Sequence, residues 1–174
     1  MDNINKIIKS HNAKICKREE IQKPCNCQRG RTCPLDGNCQ VANATYQAEV
    51  FKNEQEPPKV YIGLSEPYIK ERIRNHEKAF NDVLRRYEKD SALSEYIWKL
   101  KDEGCFNYKI KWSILRRCPK YNRTSGLCSL CITEKLMISQ FEDKSRLLNV
   151  RLDLATHCLH YKKHLLGHFK HGVG

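Results

Sequence analysis

The stretch that most constrains the fold of this chain covers residues 61–80, YIGLSEPYIKERIRNHEKAF. Strand-forming residues from Val60 to Leu64 predict a short strand, and Ser65-Glu66-Pro67 predicts the turn that ends it. Apolar residues then recur at helical spacing, at Ile69, Ile73 and Phe80. We therefore expect a strand that leads through a tight turn into an amphipathic helix.

One face of that helix carries two polar residues of complementary chemistry. Arg72 and His76 are four residues apart, so they stand one above the other on a helix. The pair sets a permanent cation beside a titratable ring. It predicts a functional face, and an ordinary solvated basic helix is the alternative interpretation.

Two further strands are expected beside the first. Residues 41–50 have strand propensity, and one side of the strand carries Ala44, Tyr46, Ala48 and Val50. With the polar turn at 52–58 they predict an antiparallel hairpin. Apolar and polar residues alternate in 108–115, which predicts a third, half-buried strand beside it. Residues 91–101 predict another helix, with Asp90 or Ser91 as N-cap and Gly104 as its end. The expected fold class is α+β: a small three-stranded antiparallel sheet flanked by helices.

A later helix carries an acidic residue within its apolar stripe. Leu130, Met137, Ile138 and Phe141 define the stripe, and Glu134 lies inside it. An inward carboxylate is unfavourable unless it is paired or binds a cation. Glu134 is therefore a candidate metal ligand, and a buried salt bridge to Lys or Arg is the alternative.

Cysteines are unusually frequent, ten in 174 residues, and they occur in groups. Clustered cysteines in a reducing compartment indicate zinc, because closed sites need four soft ligands on tight turns. The first predicted site, C-x-C-x5-C-x5-C, uses Cys25, Cys27, Cys33 and Cys39, and Cys16 could replace one of them. The second uses Cys128, Cys131, Cys158 and His160. His164, His168 and His171 could compete with His160, although a basic helical tail is the simpler interpretation of these three. Five disulfides would require a secreted protein.

The net charge of +12 favours a polyanionic partner, and nucleic acid is the first candidate. An anionic membrane surface is the alternative, but the basic helix has few apolar residues to insert. No apolar run is long enough to span a bilayer, and residues 1–10 lack the apolar segment of a secretory signal. We expect no membrane partner and an intracellular, reducing location.

These motifs resemble the GIY-YIG endonuclease domain. Tyr61-Ile62-Gly63 matches its second motif, and Ala44-Thr45-Tyr46 takes the place of the first with only the tyrosine retained. The family's essential arginine, metal-binding glutamate and late asparagine correspond to Arg72, Glu134 and Asn149.

Further motifs narrow the resemblance to the endonuclease module of Penelope-like retroelements. They are LSEYIWKLK, CSLCITEK and LLNVR, and the likeness covers roughly residues 25–165. The resemblance implies nicking of nuclear DNA beside a reverse transcriptase and element RNA, so that a 3′ end primes reverse transcription. It implies a catalytic Mg²⁺ or Mn²⁺ at Glu134 in addition to about two structural zinc ions. The implied catalytic residues are Tyr46, Tyr61, Arg72, His76, Glu134 and Asn149.

The predicted organisation has four parts: a linker or loosely docked helix at 1–24, a zinc knuckle at 25–40, the nuclease domain with a C-terminal zinc clamp at 41–165, and a basic tail at 166–174. Two other functions fit the same pattern. One is a zinc-stabilised nucleic-acid-binding module without catalysis. The other is an inactive retroelement remnant.

Overall fold

The computed structural model describes residues 25–27, 32–88, 91–121 and 128–149, together with the backbone of 157–158 and 163–164. The expectations for residues 1–24, which include Cys16, lie outside the described residues. So do those for His160 and for the tail at 166–174.

A three-stranded antiparallel sheet forms the centre of the fold. Its strands are β1 (Ala44–Phe51), β2 (Lys59–Ser65) and β3 (Lys109–Arg117), in the order β2-β1-β3. The register pairs Tyr46 with Gly63 across the hairpin. The predicted hairpin and the third strand beside it are confirmed.

Three α-helices flank the sheet: α1 (Ile69–Asn81), α2 (Ala92–Asp102) and α3 (Ser129–Gln140). Ser91 caps α2, because its side chain accepts a hydrogen bond from the backbone N–H of Ser94. Gly104 follows the end of α2 with a φ of +76°, a conformation that favours glycine. The described chain is therefore an α+β fold, as the sequence predicts.

Shorter elements complete the described chain. Two 3₁₀ turns span Val83–Arg85 and Lys144–Arg146. The strands β4 (His157–Cys158) and β5 (Lys163–His164) pair antiparallel, with His157 opposite His164. This corrects the prediction of a helical tail at His164, because histidines spaced near a helical period can equally lie in and beyond a short strand.

Both faces of the sheet are covered. Tyr46, Tyr61 and Trp112 pack against α1 and α2 in the largest core cluster. Val60 and Ile62 alternate with Tyr61 along β2 and so face the other way, where they pack on Ile138 of α3. The edge strand β2 is thus held between α1 on one side and α3 on the other.

The β1–β3 pairing contains an irregularity at the level of the first tyrosine. Thr45 pairs with Arg116 but Tyr46 pairs with Ile114, so Leu115 is an extra residue in β3. Such bulges change the direction in which nearby side chains point. The irregularity lies beside Tyr46, where the candidate site begins.

None of the helices in the described part of the chain is long and apolar enough to cross a membrane.

Candidate functional site

Three adjoining elements bring four of the predicted site residues together. Tyr46 comes from β1, Tyr61 from β2, and Arg72 and His76 from α1. The ring centroids of Tyr46 and Tyr61 are 6.4 Å apart, and that of His76 lies 6.0 Å from the first and 5.7 Å from the second. Residues distant in sequence therefore form one cluster, which we call the tyrosine–arginine centre.

The hydroxyl of Tyr46 lies between the two residues of α1. It is 2.7 Å from Nε2 of His76 and 3.3 Å from Nε of Arg72. The guanidinium N–H can only donate, so the phenol oxygen accepts that hydrogen bond and its own O–H donates to His76. Nε2 of His76 is then an acceptor, and its Nδ1 carries the proton.

His76 is held as a neutral ring. Burial, together with the positive charge of Arg72, lowers the pKa of His76 to about 3. The ring is 4% exposed and stacks between Phe80 and Trp112, at interplanar angles of 20° and 28°. These neighbours fix the ring plane and keep Nε2 directed at Tyr46.

Both phenols are protonated at neutral pH. Burial raises the pKa of Tyr46, and the neighbouring Tyr61 adds to this rise, while Arg72 works in the opposite direction. Burial also raises the pKa of Tyr61, against the lowering effect of Arg72. A nearby cation favours the ionised form of a phenol. Arg72 has that effect on both tyrosines, but desolvation outweighs it.

The two tyrosines differ in accessibility. Tyr46 is completely buried, whereas Tyr61 keeps 8% of its surface exposed. Their ring centroids are 6.4 Å apart, and each tyrosine affects the pKa of the other. Tyr61 is the less deeply buried of the two, and Tyr46 is the one whose hydroxyl contacts His76.

Glu134 approaches the centre from α3. Its side chain is half-buried, and desolvation raises the pKa of its carboxyl group to about 7, against the lowering effects of Lys135 and Arg72. Its charge contributes to the raised pKa of both tyrosines. This partial burial agrees with the inward position predicted from the helical stripe, and Glu134 interacts electrostatically with Arg72 and both tyrosines.

Gly63 makes room for the Tyr46 hydroxyl. A Cβ atom at this position would lie 2.6 Å from the Tyr46 oxygen and 2.9 Å from the ring of Tyr61. Any larger residue would therefore displace the phenols. From the sequence, Gly63 could be recognised only as part of a motif, since its contact with Tyr46 depends on the register of two strands.

The hydrogen bonds of the Asn149 side chain are with the backbone of β2 rather than with the phenols. Its side-chain amide accepts a hydrogen bond from the backbone N–H of Ile62 and donates one to the carbonyl of the same residue, both at 2.8 Å. The side chain therefore pairs with the β2 backbone in the way a neighbouring strand would. Through β2 it can position Tyr61 and Gly63.

A cavity of about 360 Å³ opens beside the centre. Its walls include Arg72, His76 and Ala79 of α1, together with Arg85 of the following 3₁₀ turn. Two arginines therefore line one concave surface. Such a surface suits an anion like a phosphate.

The first cysteine group also comes together, and we call it the cysteine module. The sulfur atoms of Cys25, Cys27, Cys33 and Cys39 all lie within 4.8 Å of one another. Sγ of Cys39 is 3.6 Å from that of Cys25 and 3.7 Å from that of Cys27. Four thiolates at about 2.3 Å from a tetrahedral zinc ion stand roughly 3.8 Å apart. The module could therefore hold a metal such as zinc.

The backbone of the module favours the thiolate of Cys33, whereas burial raises the pKa of Cys27 and raises that of Cys39 to about 12. Burial works to raise the pKa of Cys33, but hydrogen bonds from the backbone of Leu35 and Gly37 lower it to about 7. The backbone N–H of Cys27 likewise points to Sγ of Cys25, at 3.3 Å. Such N–H to sulfur contacts orient metal ligands. Gly37, with a φ of +90°, makes the turn that directs them.

The second cysteine group is described only in part. Cys128 and Cys131 are buried together at the start of α3, and Cys118 packs against them. The backbone of Cys158 lies in β4, and His160 is outside the described residues. A second zinc site remains a prediction.

Comparison of this chain with family models, curated proteins and solved structures finds no match in any of the three.

Phe80 and Trp112 also belong to the centre, although the sequence did not identify them as site residues. Phe80 was predicted only as part of an apolar stripe and Trp112 only as part of an alternating strand, yet together they enclose the ring of His76. Nothing in the local sequence pairs a strand residue with a helix residue in this way. Their role follows from tertiary packing alone.

Proposed function

We propose that this protein is a metal-dependent DNA endonuclease of the GIY-YIG type, which nicks one strand by phosphodiester hydrolysis. The observation that carries the proposal is the convergence of Tyr46, Tyr61, Arg72, His76 and Glu134 from four separate elements. A purely structural core has little use for a cation, a carboxylate, two phenols and a neutral imidazole in one place. The arginine-lined cavity beside them offers a place for a phosphate.

Arg72 stabilises the charge that develops on the phosphoryl oxygens. Its guanidinium group is half-buried, and its hydrogen bond to Tyr46 fixes its direction. A guanidinium fork matches the geometry of phosphate oxygens, and a preorganised cation in a partly desolvated site acts strongly on a transition state. Arg85 on the cavity wall assists in binding the DNA backbone.

The proton of the attacking water passes through the two phenols to His76. The water transfers a proton to Tyr61, whose own proton passes to Tyr46, and the proton of Tyr46 passes to Nε2 of His76, 2.7 Å away. The hydroxide formed attacks phosphorus, the bond to the 3′ oxygen breaks, and the leaving oxygen takes a proton from solvent to give a free 3′ hydroxyl. The negative phosphate offsets Arg72 and so raises the proton affinity of His76 during the reaction.

The donor chemistry of Glu134 fits a hard divalent cation. Its half-buried carboxylate has a pKa raised by desolvation, and a cation would favour the ionised form. Mg²⁺ or Mn²⁺ held there supplies Lewis-acid polarisation of the scissile phosphate. The chain's own contribution is to present this carboxylate next to Arg72 and the phenols.

The biological setting follows from the resemblance to Penelope-like retroelements. In that setting the nick is made in nuclear DNA, and a reverse transcriptase extends the 3′ end along element RNA. A structural zinc in the cysteine module, and a second at Cys128 and Cys131, complete the proposed cofactors. The net charge of +12 suits a nucleic-acid partner.

A second candidate is a zinc-stabilised nucleic-acid-binding module without catalysis, which includes an inactive retroelement remnant. The cysteine module and the basic charge favour it, because both are sufficient for binding. This candidate gives no reason for the convergence at the tyrosine–arginine centre.

Nicking of supercoiled plasmid in the presence of Mg²⁺ tests the proposal. Wild-type protein should convert supercoiled DNA to the open-circular form. Glu134→Gln and Arg72→Ala should each lower the rate by about a thousandfold or more, because each removes charge that acts on the transition state. DNA affinity, measured separately without Mg²⁺, should change only slightly.

Matched controls are available on the same helices and loops. Arg74→Ala removes an exposed arginine of α1, and Glu142→Gln removes an exposed acid just beyond α3. Both should nick at close to the wild-type rate. If wild-type protein binds DNA and zinc but does not nick, or if Glu134→Gln retains full activity, the proposed mechanism is wrong.

A further inference from the structure

The 3₁₀ turn after α1 presents apolar side chains to solvent. Val83 is 65% exposed, Leu84 86% and Tyr87 81%. We call these three residues the apolar tip. Large apolar residues this exposed, and this close together in sequence, indicate a contact surface rather than part of the core.

The tip is held in one conformation by its neighbours. The side chain of Asp82 accepts a hydrogen bond from the backbone N–H of Leu84 at 3.0 Å. Arg86 binds both carboxylate oxygens of Asp102 at 2.7 Å and lies over the rings of Tyr87 and Trp98. This ion pair, in which one guanidinium nitrogen contacts both carboxylate oxygens, restricts the turn together with the stacking. The apolar side chains are thus exposed on a turn that these contacts hold in place.

The tip stands at the entrance to the candidate site. Arg85 belongs to the same turn, and it lines the cavity that Arg72 and His76 also line. A DNA strand whose phosphate enters that cavity therefore has its bases within reach of the tip. The position of the tip beside this cavity and the positive charge of the cavity both favour a nucleic acid as the binding partner.

We propose that the apolar tip inserts at a base step of duplex DNA and unstacks it, while Arg85 holds the adjoining phosphate. This inference rests on the DNA substrate of the proposed function and adds how the substrate is positioned. Apolar wedges that enter from the minor groove partly unstack and kink the duplex. Local kinking would bring a single phosphodiester into the cavity beside Arg72.

A protein partner fits these observations less well. Three side chains offer far less area than a stable protein interface needs, which is roughly 800 Å² per partner. The chain's net charge of +12 and the cationic cavity next to the tip complement a polyanion. Aromatic and aliphatic groups beside arginines are what unstacked bases contact.

A duplex of about 30 base pairs that carries 2-aminopurine at several positions tests the proposal. It is mixed with the full chain in buffer without Mg²⁺, so that no cleavage is needed. Wild-type protein should raise 2-aminopurine fluorescence, which reports unstacking. The double variant Leu84→Ser/Tyr87→Ser should lose this rise and bind about tenfold more weakly, since stacking on one aromatic contributes about 1–3 kcal/mol per base.

Phe106→Ser is the matched control, because Phe106 is 70% exposed but lies in the loop before β3. It should leave both fluorescence and affinity unchanged. The proposal is overturned if the double variant behaves like wild type, or if Phe106→Ser lowers the signal equally. It is also overturned if the double variant changes the apparent mass in gel filtration, because the tip would then join copies of this chain.

The readout separates this inference from the proposed function. Tip-dependent unstacking by a protein that never nicks plasmid would support the wedge and remove the endonuclease. Nicking without tip-dependent unstacking would support the endonuclease and overturn the wedge.

Discussion

The cysteine module and the tyrosine–arginine centre both concentrate polar groups inside the protein, but they are assembled in opposite ways. The module takes all four ligands from residues 25–39, on turns shaped by Gly37. The centre draws its groups from β1, β2, α1 and α3. The geometry of the module depends on the local chain, and that of the centre depends on strand register and helix packing.

The comparison shows how the two regions depend on each other. The backbone N–H of Lys70 donates to the carbonyl of Cys39 at 3.0 Å, and that of Ile69 donates to Val41 at 2.8 Å. The module and the residues that follow it therefore satisfy two of the first N–H groups of α1, the helix that carries Arg72 and His76. We expect damage to the module to reach the centre, whereas local damage to the centre should spare the module.

Zinc removal should have the largest effect. Binding free energy at a structural zinc site is folding free energy, about 10 kcal/mol or more. A zinc-selective chelator, or Cys39→Ser, should release about one zinc ion per chain from this module, lower the unfolding temperature and abolish nicking. Elemental analysis, thermal unfolding and the plasmid assay measure these three results.

Cys105→Ser provides the control, because Cys105 is a half-buried cysteine outside both cysteine groups. It should keep its zinc and its activity. Purified protein that contains no zinc, or nicking that survives zinc loss, would show that the two regions are independent.

The same contrast explains what the sequence could predict. The cysteine module was predictable residue by residue, since its ligands and turns lie in one short segment. The secondary structure around the centre was also predictable, because apolar periodicity in α1 and β3 reports burial directly. The inward side of Glu134 followed from the same reasoning.

The geometry within the centre was not predictable. The contact between Gly63 and Tyr46 depends on the β1–β2 register, and the enclosure of His76 by Phe80 and Trp112 depends on how α1 lies on the sheet. The protonation state of the two phenols was not predictable either. Charge alone suggests ionisation near Arg72, but burial depends on packing that a sequence does not contain.

Gly63→Ala should have an intermediate effect, confined to the centre. The added methyl group would meet the Tyr46 hydroxyl at 2.6 Å, so the phenol must move and its hydrogen bond to His76 must lengthen. Overpacking of this kind typically destabilises by about 1–3 kcal/mol. We expect loss of most nicking activity with full zinc content, measured by plasmid assay and elemental analysis.

Gly37→Ala tests the cysteine module as Gly63→Ala tests the centre. Nothing lies within 4 Å of its added Cβ, but the φ of +90° is strained for alanine, at roughly 1–2 kcal/mol. It should weaken zinc retention in the cysteine module. If Gly63→Ala lost zinc instead, local damage to the centre would not spare the module as we expect.

The smallest effect concerns the carboxylate of Glu134, and it appears as a dependence of stability on pH. Burial raises the pKa of this carboxyl group to about 7, above the ordinary 4.5, while Lys135 and Arg72 favour its charge. A folded-state pKa above the unfolded value means that the folded protein binds the extra proton, so stability is lost as pH rises from about 4.5 through 7. Glu134→Gln removes this loss. Without Mg²⁺ it should be nearly neutral at pH 4 and stabilising by about 2 kcal/mol at pH 8, allowing for partial solvent screening.

Urea unfolding of wild-type protein and of Glu134→Gln at both pH values measures the difference, and Glu142→Gln, at an exposed acid, should show none. A pH-independent difference would mean that the Glu134 carboxylate is paired rather than desolvated. The centre would then resemble the site of Cys33, whose thiolate is supported by hydrogen bonds from the local backbone, and its inward carboxylate would no longer indicate a place for a divalent cation.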